Sequence, residues 1–262
     1  AHAVDRECRV MTALYDTDVP VPKTFGYCDD ETVIGTPFFV MDHVVGNIYW
    51  ELLLPGCDPN QRREIYLSMN DTIAKLHNVD FDKVNLADYG KHENYMDRQI
   101  HRWTKQYKDS ETQMIPEINE LIEWLPKNIP SDQETSIVHG DFRLDNMIFD
   151  PATHEVKAIL DWELSTLGNP IADFTYHMMS WRLPAGAKGM GMMGSDLKSL
   201  NIPSESEYAE LYYKKTGREK IDNWDFYMAY NIFRLAGIAQ GIVGRVRDCL
   251  LYTSDAADDT TG

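Results

Sequence analysis

His139-Gly-Asp141-Phe-Arg143-Leu-Asp-Asn146 brings an imidazole, a carboxylate, a guanidinium and an amide into one short stretch. Ser136-Ile-Val138 leads into it and Met147-Ile-Phe149 leads out, so the stretch reads as a loop between two strands. Val156-Lys-Ala-Ile-Leu160 follows as a third strand and runs into Asp161, with Pro151-Ala-Thr-His154 as the hairpin turn between. Antiparallel neighbours joined by that turn place Asn146 and Asp161 at the same end of the hairpin. An amide oxygen and a carboxylate, with Asp141 nearby, form a hard-oxygen cluster suited to Mg²⁺ and phosphate oxygens. Asp141 can accept, or simply orient, the proton of a substrate hydroxyl. Arg143 can reach a phosphoryl group in transfer.

Each residue also has a plainer role. His139 alone fits a satisfied core histidine, Arg143 an ion pair within its own loop, and Glu163 a solvated carboxylate. Gly189-Met-Gly191-Met-Met-Gly194 matches a dinucleotide fingerprint in letters only. A fingerprint needs a preceding buried strand, and here a helix ending near Trp181 precedes it. The segment is expected to be a mobile loop whose Met190, Met192 and Met193, with Met179 upstream, offer adaptable contact to a partly apolar substrate. Trp224, Phe226, Tyr227 and Tyr230 read as core rather than as a ligand cage.

The elements that must position these groups run strands first, then mostly helices. Asp5 to Tyr15 is a helix, with Val10, Met11 and Leu14 at helical spacing. Lys23 to Cys28 and Thr36 to Met41 are two strands around an Asp29-Asp30 turn. Helices follow over Gln61–Val79, Tyr95–Tyr107 and Glu117–Leu125. After the β cluster come helices over Ile171–Trp181, Ser204–Thr216 and Trp224–Val246. The architecture is α+β, a small strand-containing piece joined near Val45-Gly46 to a larger helical one. Residues 249–262 have no amphipathic period, resemble a translated sequencing adapter, and are expected to be a non-native tail.

The composition sets the partners. Forty-two acidic residues against 25 Lys and Arg leave a net charge of −17. Such a surface repels nucleic-acid backbones and anionic lipid, and no apolar run is long enough to span a bilayer. The acidity would also draw a cationic substrate into a cleft. Cys8, Cys28, Cys57 and Cys249 are scattered without metal spacing. They read as reduced thiols in a cytoplasmic, intracellular setting.

The pattern His-x-Asp-x-x-x-x-Asn followed by a metal-binding Asp resembles protein-kinase-like phosphotransferases. With Gly140 after the histidine and Leu160-Asp161-Trp162-Glu163 downstream, it is similar to the aminoglycoside phosphotransferase and choline-kinase family. The run from Asp161 through Gly168 to Asp173 is similar to the kinase-like domain attached to some acyl-CoA dehydrogenases. The resemblance spans about residues 5–248. It implies a two-lobed kinase-like fold, with a small lobe in residues 1–45 and a helical lobe in 46–248, that transfers phosphate from ATP with Mg²⁺ to a small-molecule hydroxyl. A hydroxyacyl, aminoglycoside-like or choline-like acceptor is open, as is a non-catalytic docking module within an acyl-CoA dehydrogenase-type parent. Asp141, with Arg143 and His139, would make up the catalytic set, Asn146 and Asp161 would hold the metal, and Asp173 would cap the next helix and steady the loop. Backbone groups of Asp42 and Val44 would bind the adenine. Glu7 matches the helix glutamate that pairs with the nucleotide-binding lysine, or is simply a helix charge. The family's glycine-rich loop and that lysine lie before Glu7, so the resemblance implies a fragment with an exposed strand edge and apolar surface in its small lobe.

Overall fold

The structure, a computed structural model, describes residues 4–131, 134–186, 191–220 and 223–258, with side chains through residue 247. In chain order it contains α1 (Val4–Leu14), β1 (Thr24–Cys28), α2 (Glu31–Ile34), β2 (Phe38–Met41) and α3 (Pro59–Asn78). Then come α4 (Tyr95–Asp109), α5 (Pro116–Trp124), β3 (Ser136–Val138), β4 (Met147–Phe149), β5 (Val156–Ile159) and β6 (Thr166–Gly168). The helices α6 (Pro170–Met178), α7 (Glu205–Thr216) and α8 (Trp224–Asp258) complete it. The chain divides into two compact units, Ala1–His92 with Glu134–Asp222, and Glu93–Gln133 with Asn223–Gly262. The boundary expected at Val45-Gly46 lies inside the first unit.

The first unit carries the six strands. β1 and β2 pair antiparallel, with Tyr27 opposite Phe39 and Cys28 opposite Phe38. The expected Asp29-Asp30 turn is a single helical turn, α2, capped by Asp30 through the Thr32 N–H at 2.9 Å and ended by Gly35 at φ 89°. Phe25, Tyr27, Val40 and Met41 are exposed on this pair, the apolar surface expected there. α1 buries Cys8, Val10, Met11 and Leu14, the stripe its spacing predicts. α3 starts at a reciprocal cap: Asp58 accepts from the Gln61 N–H, and the Gln61 side chain accepts from the Asp58 N–H. Ile65, Met69, Ile73 and Leu76 form its buried face.

Two short pairs hold the chemistry-bearing loops. β4 and β5 are antiparallel, with Met147 opposite Ile159. β3 pairs with β6, Val138 opposite Thr166. β6 is absent from the expected strands because three residues give too little pattern to read. At the opposite edge Asn47 exchanges two backbone hydrogen bonds of 2.8 Å with Phe149. The chain approaches β4 so closely that a Cβ on Gly46 would lie 2.4 Å from the Phe149 oxygen.

The second unit is helical. Gly237, Gly241 and Gly244 let α8 run close against α4 and the segment after it, facing Trp103, Gln106 and Ser110. The Gln240 amide donates to the Ser110 carbonyl at 2.6 Å and to the Thr112 hydroxyl at 2.9 Å. Arg234 lies over the Trp103 ring at 5.4 Å. Phe226, Tyr227 and Tyr230 are buried, the core role expected of them, while Trp224 at the start of the helix is half-buried; Phe233 joins the buried set. α8 extends past its expected end at Val246 to Asp258; residues 259–262 of the expected tail lie outside the described residues. Among the described residues no helix is long and apolar enough to cross a membrane.

Candidate active site

Asp173 organises the loop that carries the motif. It sits in the first turns of α6, almost fully buried. One of its oxygens accepts the His139 N–H at 2.9 Å and the other the Gly140 N–H at 2.8 Å. The His77 Nε2–H adds a third bond at 3.2 Å, and the Tyr212 hydroxyl donates to His77 Nδ1 at 2.7 Å. Burial pushes the Asp173 carboxyl up, but these donors, led by His77, bring it below the ordinary aspartate range. Burial keeps His77 below its ordinary value, so the pair is an aspartate with a neutral imidazole. The helix cap itself is Asn169, which accepts from the Ile171 and Ala172 N–H groups at 2.9 Å. Asp173 thus steadies the loop as expected and leaves the capping to Asn169, because it lies a turn inside the helix.

His139 is fully buried. Its Nδ1 accepts the Asp141 N–H at 3.2 Å, which leaves the proton on Nε2 to be donated to the Leu160 carbonyl at 2.9 Å. Burial holds the ring neutral by lowering its pKa. Both nitrogens are spent on backbone, so His139 ties the Asp141 loop to the strand that delivers Asp161. Gly140 has φ 84°, and a Cβ there would meet the Leu164 oxygen at 2.7 Å.

Asp141 is half-buried, and both of its oxygens are engaged. The Tyr176 hydroxyl donates to Oδ1 at 2.6 Å and the Asn146 amide to Oδ2 at 3.2 Å. The same amide donates to the Asp141 carbonyl at 2.9 Å. This fixes the Asn146 side chain with its nitrogen toward Asp141. Among the described residues the Asn146 amide oxygen accepts no hydrogen bond. The Leu160 N–H donates to the Asn146 carbonyl at 2.8 Å, so Asp161 emerges beside Asn146 as the hairpin register requires. Asp161 has φ 62°, a left-handed backbone unusual for a non-glycine residue. Partial burial raises its pKa, and the nearby Glu163 and Asp141 carboxylates raise it further. Asp141, Asn146 and Asp161 therefore share one locality. Among the described residues no three His, Cys, Asp or Glu side chains gather as a metal cage. One carboxylate, one amide oxygen and phosphate oxygens are the donor set Mg²⁺ accepts without such a cage.

The other expected residues are distributed around this centre. Arg143 is exposed and pairs with both oxygens of Asp145, with its Nε at 3.0 Å, which raises its pKa. This is the loop ion pair weighed for it from the sequence. The Asp42 N–H donates to the Lys23 carbonyl at 2.8 Å, continuing the β1–β2 pairing, and Asp42 is exposed. Val44 is half-buried, and among the described residues its N–H makes no backbone bond. Glu7 is half-buried on α1. Its neighbour Arg6 donates to the Tyr89 carbonyl at 2.8 Å, and the Tyr89 hydroxyl lies 2.6 Å from that of Ser165. α1 is thereby fastened to the turn that follows Asp161.

Three groups were missed from the sequence: Tyr176, Tyr89 and His77. Tyr176 lies three residues after Asp173, on the same side of a helix, and that spacing was the available signal. The methionine surface is smaller than expected. Met192 and Met179 are buried, and the Tyr66 hydroxyl donates to the Met192 sulfur at 3.2 Å. There the Met193 N–H donates to the Leu183 carbonyl at 2.9 Å and the Ala185 N–H to the Met193 carbonyl at 3.1 Å, so the described part of this segment is built structure rather than a loose loop. Met193 alone of these is exposed; Gly189 and Met190 lie outside the described residues.

Residues 1–207 match the phosphotransferase enzyme family, and the chain belongs to it. It is 46% identical to mouse acyl-CoA dehydrogenase family member 10 over 94% of its own length, and 42% identical to human acyl-CoA dehydrogenase family member 11. It spans 23% of the former and 32% of the latter. A crystal structure from Ralstonia eutropha, provisionally named an aminoglycoside phosphotransferase, superposes with a TM-score of 0.91 at 51% identity, over 94% of this chain and 75% of that one. The expected kinase-like α+β architecture is the fold of these neighbours.

Proposed function

We propose that this domain transfers the γ-phosphoryl group of ATP to the hydroxyl of a small molecule. The observation that carries this reading is the convergence of Asp141, Asn146 and Asp161 on one locality within a phosphotransferase fold. In the transfer an acceptor oxygen bonds to phosphorus as the bond to the β-phosphate oxygen breaks. ADP leaves with that electron pair, and the acceptor proton passes to Asp141 and on to solvent. Asp161 and the Asn146 amide oxygen would hold Mg²⁺, which neutralises phosphate charge when bound. Arg143 would leave Asp145 to meet the phosphoryl oxygens. The Asp42 carbonyl and the Val44 N–H would bind the adenine edge, since the Asp42 N–H is already taken by Lys23. Glu7 belongs on the nucleotide side through the family's lysine.

The acceptor is a hydroxyacyl, aminoglycoside-like or choline-like alcohol. The exposed Met193 favours an apolar portion, and the net charge of −17 favours a cation. The free thiols of Cys8, Cys28 and Cys57 fit a cytoplasmic protein. ATP consumption by the full-length parent tests the reading. Asp141→Asn should lower turnover by about 10²-fold or more, and equal turnover would remove Asp141 from the chemistry. A second reading, a docking module fused to an acyl-CoA dehydrogenase, is favoured by relatives several times longer than this chain. Calorimetry separates the two, because a docking module would not bind ATP in a magnesium-dependent way.

A further inference from the structure

We infer that Tyr176 is a positioning residue for Asp141, setting the rotation of its carboxylate toward the acceptor hydroxyl; the inference rests on the phosphotransfer reading above. The terminal torsion of an aspartate is broad when nothing restrains it. Here the Tyr176 hydroxyl holds Oδ1 at 2.6 Å while the Asn146 amide holds Oδ2 at 3.2 Å. Turning the carboxylate breaks both bonds. The phenol cannot follow it, because Tyr176 is 5% exposed and its backbone lies in α6. The same helix, one turn earlier, grips the His139 and Gly140 N–H groups through Asp173. One rigid element therefore fixes both the backbone of the loop and the plane of its carboxylate.

The consequence is specific to the chemical step. Orientation of a reacting pair is expressed in the transition state, while ATP is bound by other groups. In the full-length protein, with Mg²⁺–ATP and water as the acceptor, Tyr176→Phe should lower kcat about tenfold or more and leave the KM for ATP unchanged. Phe keeps the ring, so the melting temperature serves as the check on folding. The double variant Tyr176→Phe/Asp141→Asn should be no slower than Asp141→Asn alone, because a hydroxyl that acts by orienting that carboxylate has nothing left to orient once it is replaced. Wild-type kcat in Tyr176→Phe, a raised KM for ATP, or losses that multiply in the double variant would each overturn the assignment while leaving the phosphotransfer reading intact. Absence of magnesium-dependent turnover in the wild type would instead overturn that reading, and this inference with it.

Discussion

Asp173 makes no contact with a reacting atom in the reading above, yet it is the residue on which the loop depends. Its carboxylate receives three buried donors, and two are the backbone N–H groups of His139 and Gly140. Asp173→Ala would strand those donors and His77 without water, at a cost of about 3–5 kcal/mol, the range for breaking a buried charged network. Urea unfolding of the variant should show a midpoint lowered accordingly; an unchanged midpoint would mean that the network is replaceable. The sequence gives Asp173 away by its place in the motif, but not its partners. His77 is distant in the chain, and only the packed fold brings it beneath the carboxylate. The closeness of Asn146 and Asp161 was legible because the β4–β5 hairpin fixes their relative places by local rules. The Arg143–Asp145 pair was open from sequence, since Arg143 is exposed and either a loop carboxylate or a phosphoryl group would satisfy its charge.

Among the elements, legibility followed length and pattern. α1 and α3 have apolar stripes several turns long, and the β4–β5 hairpin has turn residues between apolar runs, so each was found within a few residues of its true limits. β6 has three residues, and Met192 and Met193 are held by backbone bonds to Ser180, Leu183 and Ala185, which composition does not report. Gly46 illustrates a constraint that is visible as a residue type and explained only by contact. The chain leaving β2 presses against β4 there, with Asn47 paired to Phe149. Gly46→Ala places a Cβ 2.4 Å from the Phe149 oxygen and 2.5 Å from an Ile148 methyl. Backbone cannot yield cheaply, so we expect a loss of about 1–3 kcal/mol from overpacking. Thermal unfolding checks this. A variant as stable as the wild type would show that the segment can move off the strand.

At the scale of the whole molecule, pH is the lever that the fold exposes. The chain is strongly acidic on its surface, yet the first unit buries His77, His139 and His177. Burial lowers the pKa of all three, and that of His177 falls to about 4. In the unfolded chain each histidine takes a proton near pH 6.5, whereas in the fold it stays neutral to lower pH. The unfolded state therefore binds more protons below pH 6.5, and stability falls as pH drops from there toward 4. His177 alone accounts for about 2 kcal/mol between pH 6.5 and 5, at 1.36 kcal/mol per pH unit. Asp173 acts in the same direction lower down, because its depressed carboxyl pKa contributes stability that is lost only as pH falls below the ordinary aspartate range. Urea midpoints should thus be flat above pH 7 and decline steeply between 6.5 and 5. His177→Phe removes a titrating ring while keeping most of its volume, although it leaves the Tyr208 hydroxyl, 3.0 Å from Nε2, without that partner. The variant should start from a lower midpoint at pH 7 and lose less on acidification. If its slope between pH 7 and 5 equals that of the wild type, His177 is not the group that the acid attacks, and the loss belongs to His77 and His139.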